Sequence, residues 1–420
     1  MASNLKRKQD DEVDDEAELK KVRLTEENLA AEQATPSSSA SDASTKELQT
    51  LLDLSGLTEL VQITERFKQI AQAIILNHHM VVSWGGEETA FQIIELEFYY
   101  LKGVCHEDPF THGSEEQKIS GRWYFHRAPQ FSKDSTRSAT STSMYRAGSR
   151  KGMDLTFGGP VSETPQKPSS DVLLRGGILL RSIRNVSTGK ITSGPSLLVD
   201  QVLSHCRTES ITEVVDEQWG GDIYAFHSPP TQNKSLLYLK RVNTQTSASS
   251  STGTTSSAKP QNALSMLMAP KPAKLYSSPR IGLELSHPGT EPSAKHPRVA
   301  FLSRPYRYFI QPHLLTDKGR AQTFVGILHS CLEGGVFTLP ENRQNINTKT
   351  GIALKREISK ISGIREPTVE KYISEYMDGL ENKSKLKSFV GAQGKNAASS
   401  PATYLRMVGT VEAVLKSQSS

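Results

Sequence analysis

The chain has 420 residues, with Lys+Arg 50 against Asp+Glu 45 and a net charge of +5, a balance too slight to establish a nucleic-acid partner by itself. Hydrophobic residues at 36% and aromatics at 7% imply a core that occupies part of the chain, with polar filler around it. No window approaches about 20 uninterrupted apolar residues and no apolar stretch follows the charged N-terminus, so a soluble protein without a secretory leader is expected.

Residues 1–44 are polar and end in Pro36 and a serine run. They carry two basic clusters, Lys6-Arg7-Lys8 and Lys20-Lys21-Val22-Arg23, separated by an acidic run from Asp10 to Glu16. Such a tail either is simply solvated or is read by an importin as an extended peptide; we take the second as the expectation, and with it a nuclear location. Apolar periodicity then predicts a helix over Leu57–Leu76, strands over Met80–Trp84 and Ala90–Tyr100, and further strands over Met153–Phe157, Gly177–Ile183, Leu236–Arg241 and Val299–Ile310. A helix is expected at Ser196–Cys206. Three tracts, 129–143, 158–170 and 244–279, are too polar to form a core and read as insertions into one domain, 45–310. Residues 311–420 read as a helical extension with helices near Gly319–Glu333, Gly351–Ile361 and Thr368–Leu380. Gly363 between the last two allows either a helix-turn-helix, with Arg365, Thr368 and Lys371 at a recognition-helix start, or an ordinary helical hairpin, which we favour. The expected fold class is mixed α/β (α+β): an antiparallel-rich sheet with surrounding helices and a helical C-terminal extension.

The run Ile93–Tyr100 is the most informative. As a strand it sends Ile94, Leu96, Phe98 and Tyr100 to one face and Glu95, Glu97 and Tyr99 to the other. The two carboxylates would lie about 7 Å apart, a spacing at which carboxylates that share a site push one pKa upward. Charge on a central strand suggests a cleft, although an edge strand with a wet face has the same pattern. Downstream, Cys105, His106, Asp108 and His112 fall within eight residues. No second ligand pair is spaced for zinc, so no metal site is expected and a hydrogen-bonding loop histidine is the better reading. Cys206 and Cys331, the other two cysteines, make no disulfide framework, which fits a reducing compartment. There is no Gly-x-Ser-x-Gly elbow, no Gly-x-Gly-x-x-Gly and no P-loop. Gly158-Gly159 and Gly176-Gly177 read as turns.

Taken in order, these pieces resemble the alkyladenine (3-methyladenine) DNA glycosylases. The resemblance rests on Glu-Leu-Glu-Phe-Tyr at 95–99 with His112 after it, Gly-Met-Asp-Leu-Thr at 152–156, and Gly-Ile-Leu-Leu-Arg at 177–181. It continues with Gly-Pro-Ser-Leu-Leu at 194–198, residues 236–241, Pro-Arg-Ile-Gly-Leu at 279–283 and Arg-Pro-Tyr-Arg-Tyr-Phe at 304–309. It covers roughly Thr64 to Ile310. The resemblance implies a monofunctional base-excision enzyme that flips a damaged purine out of duplex DNA and hydrolyses its N-glycosidic bond. In that family the second Glu of the run activates water and the following Tyr stacks on the base, roles that fall here on Glu97 and Tyr99; the base-contacting His falls on His112. Asp154 stands where the family has Asn, replacing an amide by a carboxylate that would favour a cationic purine or repel phosphate. The family's wedge tyrosine has only Tyr145 as a candidate, beside a polar insertion.

The residues agree with such chemistry. Tyr99 with Tyr124 or His126 would hold an extruded base, and Glu97 would take a proton from water and stabilise an oxocarbenium-like transition state. Lys102 is the only lysine near the acids, so a water-using enzyme without a Schiff base or cofactor is expected. Arg181 reads as a phosphate contact, or as a surface or ion-paired arginine. The partners implied are double-stranded DNA with damaged purines and an importin, with no membrane, for a monomer. The alternative is a catalytically silent nucleic-acid-binding relative, and a metal enzyme at Cys105, His106 and His112 comes third.

Overall fold

A computed structural model of the protein describes residues 46–128, 145–161, 173–227, 233–242, 273–315 and 318–419. The basic clusters of the tail and the tract 129–143 lie outside these residues, as do most of the other two insertions. Among the described residues, no helix is long and apolar enough to cross a membrane.

Helix α1 (Leu60–Asn77) carries Ile63, Phe67, Ile70, Ala71, Ile74 and Ile75 on one buried face, the three-and-four spacing of an amphipathic helix. It runs straight into β1 (His78–Trp84), which turns through Gly85-Gly86 into the long β2 (Glu87–Lys102). Both glycines have positive φ, 55° and 89°, which is what a two-residue hairpin of this twist requires. β2 is the axis of an antiparallel sheet. Along one edge it pairs with β6 (Leu174–Asn185); along the other it pairs first with β1 and then with β10 (Arg307–Phe309). β4 (Trp123–Phe125) and β5 (Met153–Thr156) continue the sheet beyond β6, and β8 (Ser235–Arg241) closes it beyond β1, in the order β4-β5-β6-β2-β1-β8. The short β3 (His106–Glu107), β7 (Ile191–Ser193) and β9 (Tyr276–Ser278) add to β2, β6 and β10. The mixed α/β class with an antiparallel sheet and a helical C-terminal region is therefore the observed one.

Three expectations are corrected. Val299–Ile310 is not one strand: it holds helix α3 (Pro297–Leu302) and then β10, with Pro297 at the helix start. The tract 244–279 does not end as filler, because Tyr276–Ser278 pairs with β10 as β9. Gly176-Gly177 is not a turn but lies inside β6, where a Cβ on Gly176 would come within 2.3 Å of the Phe157 carbonyl oxygen. Helix α2 (Pro195–His205) is found where expected.

The apolar face of β2 packs on α1. Phe98 stacks on Phe67 at 4.5 Å between ring centres, and Tyr100 and Phe157 meet Phe67 edge-on. After β10 the chain forms α4 (Arg320–Glu333), α5 (Lys349–Ser362), α6 (Glu366–Glu381) and α7 (Pro401–Ser419). These helices share one compact unit with the sheet. Gly363, at φ 71°, ends α5 and lets the chain reverse into α6, whose Val369, Tyr372, Ile373 and Tyr376 point inward. Arg365 and Lys371 stay exposed; the two helices form a packed hairpin within a bundle.

Candidate functional site

The two acids on the second face of β2 are as dry as the first face. Glu97 has 0% exposure and Glu95 3%, and neither is left without partners. The pairing of β2 with β6 jumps from Ile93↔Ile183 to Glu95↔Ser182 and then to Leu96↔Leu180, so Ile94 on one strand and Arg181 on the other are skipped. Such paired irregularities re-aim side chains. Here they let the neighbours Arg181 and Ser182 both bond Glu95: the Ser182 hydroxyl donates to Oε2 and Arg181 Nε donates to Oε1 at 3.3 Å. Arg181 Nη1 then reaches Glu97 Oε2, also at 3.3 Å.

From the other side Arg307 of β10 donates from Nε to Glu95 Oε1 at 2.6 Å, while its two terminal nitrogens are held by Ser278 at 3.0 Å and Thr323 at 3.1 Å. Charges thus alternate along one line: Arg307, Glu95, Arg181, Glu97. Glu97 also accepts the Tyr99 hydroxyl on Oε2 at 2.9 Å and the Ile281 backbone N–H on Oε1 at 2.7 Å. The expectation that two acids sharing a site push one pKa upward is overturned for Glu95. Burial does work to raise it, but the Arg307 and Arg181 charges and the bonds from Ser182 and Arg307 outweigh burial and hold it below its ordinary value. Burial and the charge of Glu97 push the Tyr99 phenol well above its own.

Arg181 is not the phosphate contact expected of a strand end. It is buried, and its guanidinium is committed to the two acids. Burial opposes its charge, yet Glu97 and Glu95 keep its pKa above the ordinary arginine value.

Tyr99 is partly exposed. The guanidinium of Arg280 lies 4.6 Å from its ring centre. Arg280 is fully buried, donates through both terminal nitrogens to Asp108 at 2.5 and 3.1 Å and to the Phe98 carbonyl at 3.0 Å, and is followed directly by the residue whose N–H caps Glu97. Residues 279–281 therefore position both the aromatic and the acid, a role not expected from sequence.

The other expected residues gather two strands away. Register pairs Arg307 with Glu97, Glu97 with Leu179, Leu179 with Asp154 and Asp154 with Tyr124. Directly opposed residues share a face, so Glu97 and Asp154 stand on the same side of the sheet, about 10 Å apart between α-carbons. Gly177, opposite Tyr99, makes room for this row, since a Cβ there would lie 2.4 Å from Asp154 Oδ2 and 2.6 Å from Gln117 Nε2. Asp154 is buried. Its Oδ1 meets His126 Nε2 at 2.8 Å and its Oδ2 accepts from Gln117 at 3.2 Å. His112 lies edge-on to His126 at 4.6 Å. Burial, with the charges of His126 and Arg146, pushes the His112 imidazole down to about 4, against the pull of Asp154. Tyr124 and His126 keep only 4% and 8% of their surface exposed, so they form walls more than open stacking platforms.

Tyr145 is half-buried beneath the Arg127 guanidinium, 4.0 Å from its ring centre, with Phe125 edge-on at 6.1 Å. As described it is packed rather than projecting. His106 is spent on the Tyr100 carbonyl at 2.9 Å and the Tyr306 hydroxyl at 2.8 Å, and no group of three or more His, Cys, Asp or Glu among the described residues could hold a metal ion. Lys102 is also committed, donating to the carbonyls of Ser55 and Leu57 at 2.6 and 2.7 Å.

No protein-family model matches the chain. It is 29% identical over 232 residues to an uncharacterized protein of Acanthamoeba polyphaga mimivirus, a match that covers 55% of this chain and 82% of the viral protein.

Proposed function

We propose that this protein belongs with the alkyladenine DNA glycosylases and hydrolyses the N-glycosidic bond of alkylated or deaminated purines in DNA after base flipping. The observation that carries this reading is the placement of Glu97: a buried carboxylate clamped by Arg181 and the Ile281 N–H, two residues before a partly exposed aromatic. Burial of this kind adds nothing obvious to stability, since desolvating such charges costs about as much as their pairing returns. A fixed charge held for catalysis accounts for such burial.

Glu97 accepts three hydrogen bonds, and a carboxylate offers about four acceptor positions. The second position on Oε1 is where a water would be held for proton transfer as it attacks the sugar carbon. The negative charge would offset the positive charge developing on the sugar. Tyr99 supplies the ring for an extruded base, with the Asp154–His126 pair across from it as polar contacts for the base edge. Lys102, the lysine nearest to the acids in sequence, is bound to carbonyls and is not offered as a nucleophile. The nuclear destination remains part of the proposal and rests on the basic clusters of residues 1–44.

The test is incubation with duplex DNA carrying hypoxanthine or 3-methyladenine, with detection of free base. Glu97→Gln should keep folding and damaged-DNA binding while release falls at least ~100-fold, the scale for loss of a general base. Equal release by variant and wild type would remove Glu97 from the role. The complete burial of Glu97 favours a second reading, a catalytically silent relative that binds nucleic acid through the same face; damaged-DNA binding by wild type with no release of any base would select it.

A further inference from the structure

The resemblance to glycosylases stops near Ile310, yet the line of charges under Glu97 does not. Its outer member, Arg307, has three anchors: Glu95, Ser278 and Thr323. Thr323 belongs to α4, the first helix of the C-terminal region, and is buried. The last helix, α7, packs against α4, and its Tyr404 is buried. Arg307 sits opposite Glu97 in register but gives its shortest bond to Glu95. An arginine fork holds its direction only if its other nitrogens are also held. With Thr323 and Ser278 in place, Nε is aimed at Glu95. That fixes which Glu95 oxygen meets Arg181, and so where Arg181 meets Glu97.

We infer that Thr323 is a positioning residue for the proposed active site, and that the C-terminal helices complete that site by holding Arg307 against Glu95 and, through Arg181, orienting Glu97. The inference rests on the glycosylase reading for its kinetic consequence only, since the hydrogen-bonded line exists whatever reaction the protein performs. The groups that face Glu95 are Arg307 from β10, Arg181 and Ser182 from β6 and Glu97 from its own strand. Loosening Arg307 therefore leaves Arg181 as the cation that keeps Glu95 ionised.

The experiment uses the full chain with Thr323→Val, which keeps the shape and removes the hydroxyl, and Thr323→Ser, which restores it. In single-turnover base release, Thr323→Val is expected to slow the chemical step about tenfold with damaged-DNA affinity unchanged, and Thr323→Ser to recover most of the rate. Independently, carbon-13 NMR titration of the Glu95 side-chain carboxyl, assigned by its loss in Glu95→Gln, should show protonation about threefold easier or more in Thr323→Val and restored in Thr323→Ser. An unchanged Glu95 titration in folded Thr323→Val overturns the inference, and so does a full rate with a working wild-type enzyme. If wild type releases no base, the function falls while the titration still decides this point. If Thr323→Val does not fold, Thr323→Ser and Thr323→Ala carry the same two readouts, and wild-type behaviour of the Ala variant overturns the inference.

Discussion

Ile94, Leu96, Phe98 and Tyr100 on one face of β2, and Glu95 and Glu97 on the other, are equally shut off from water, but they are held there by different physics. The first face needs only shape: aromatic rings from α1 and the loop after β5 fill the space. The second removes two carboxylates and two guanidiniums from water, and it survives because positive and negative groups alternate and because Ser182, Ser278, Thr323, Tyr99 and the Ile281 N–H supply further hydrogen bonds. Apolar burial is stabilising outright, at about 25 cal/mol per Å². A buried ion network is close to neutral overall and fails steeply when one member is lost. The first face therefore supplies stability, and the second preserves a geometry.

The sharpest way to probe that contrast is to damage each face in turn. Phe98→Ala should cost about 4 kcal/mol, as large-to-small changes at buried aromatics do, measured by urea unfolding. Glu95→Gln should cost about 3 kcal/mol, because Arg307 and Arg181 are then left with a single buried counter-charge. Adding Arg307→Met to Glu95→Gln should recover part of that loss, whereas no second truncation should rescue Phe98→Ala; additive losses in the charged pair would break the contrast. The pH dependence has a definite sign. Glu95 has a lowered folded pKa, so its contribution is in place above about pH 4.3, the unfolded value, and is lost as pH falls through the lower folded value. The stability gap between wild type and Glu95→Gln should thus close on acidification below about pH 4.

A further pH-dependent effect is expected along the same row. His112 is held at about 4 against about 6.5 unfolded, so the unfolded chain binds the extra proton and stability declines as pH falls from about 6.5 to 4. His112→Phe should flatten that decline by up to about 1.4 kcal/mol per pH unit, read from unfolding curves across the window; an unchanged slope would mean that the imidazole is solvated. The smallest effect marks the outside of both faces: Lys371→Ala, at an exposed position of α6, should change stability by no more than about 0.5 kcal/mol and leave duplex affinity unaltered. A loss of affinity there would revive the helix-turn-helix reading.

Much of this arrangement is written locally. The alternation of Ile93–Tyr100, the periodicity of α1 and the paired glycines at 85 and 86 specify strand, helix and hairpin because neighbouring residues set those periods. The same alternation already separates Glu95, Glu97 and Tyr99 from the apolar set, and the order of short motifs led to Glu97. Arg181, Arg280 and Arg307 were visible in those motifs, but their roles were not. An arginine in an apolar run looks alike whether it ends at the surface or in the core, and only partners 84 to 212 residues away along the chain decide which. The skipped pairing at Ile94 and Arg181, the fate of Gly177, the strand at Tyr276–Ser278 and the joining of Thr323 to Arg307 are likewise products of long-range packing. Backbone periodicity therefore determined most of the elements and the face that carries the two acids, and the motif order singled out Glu97, while the tertiary structure alone decided which charges face one another, because Coulomb energy and desolvation depend on distances in space and not on spacing in the chain.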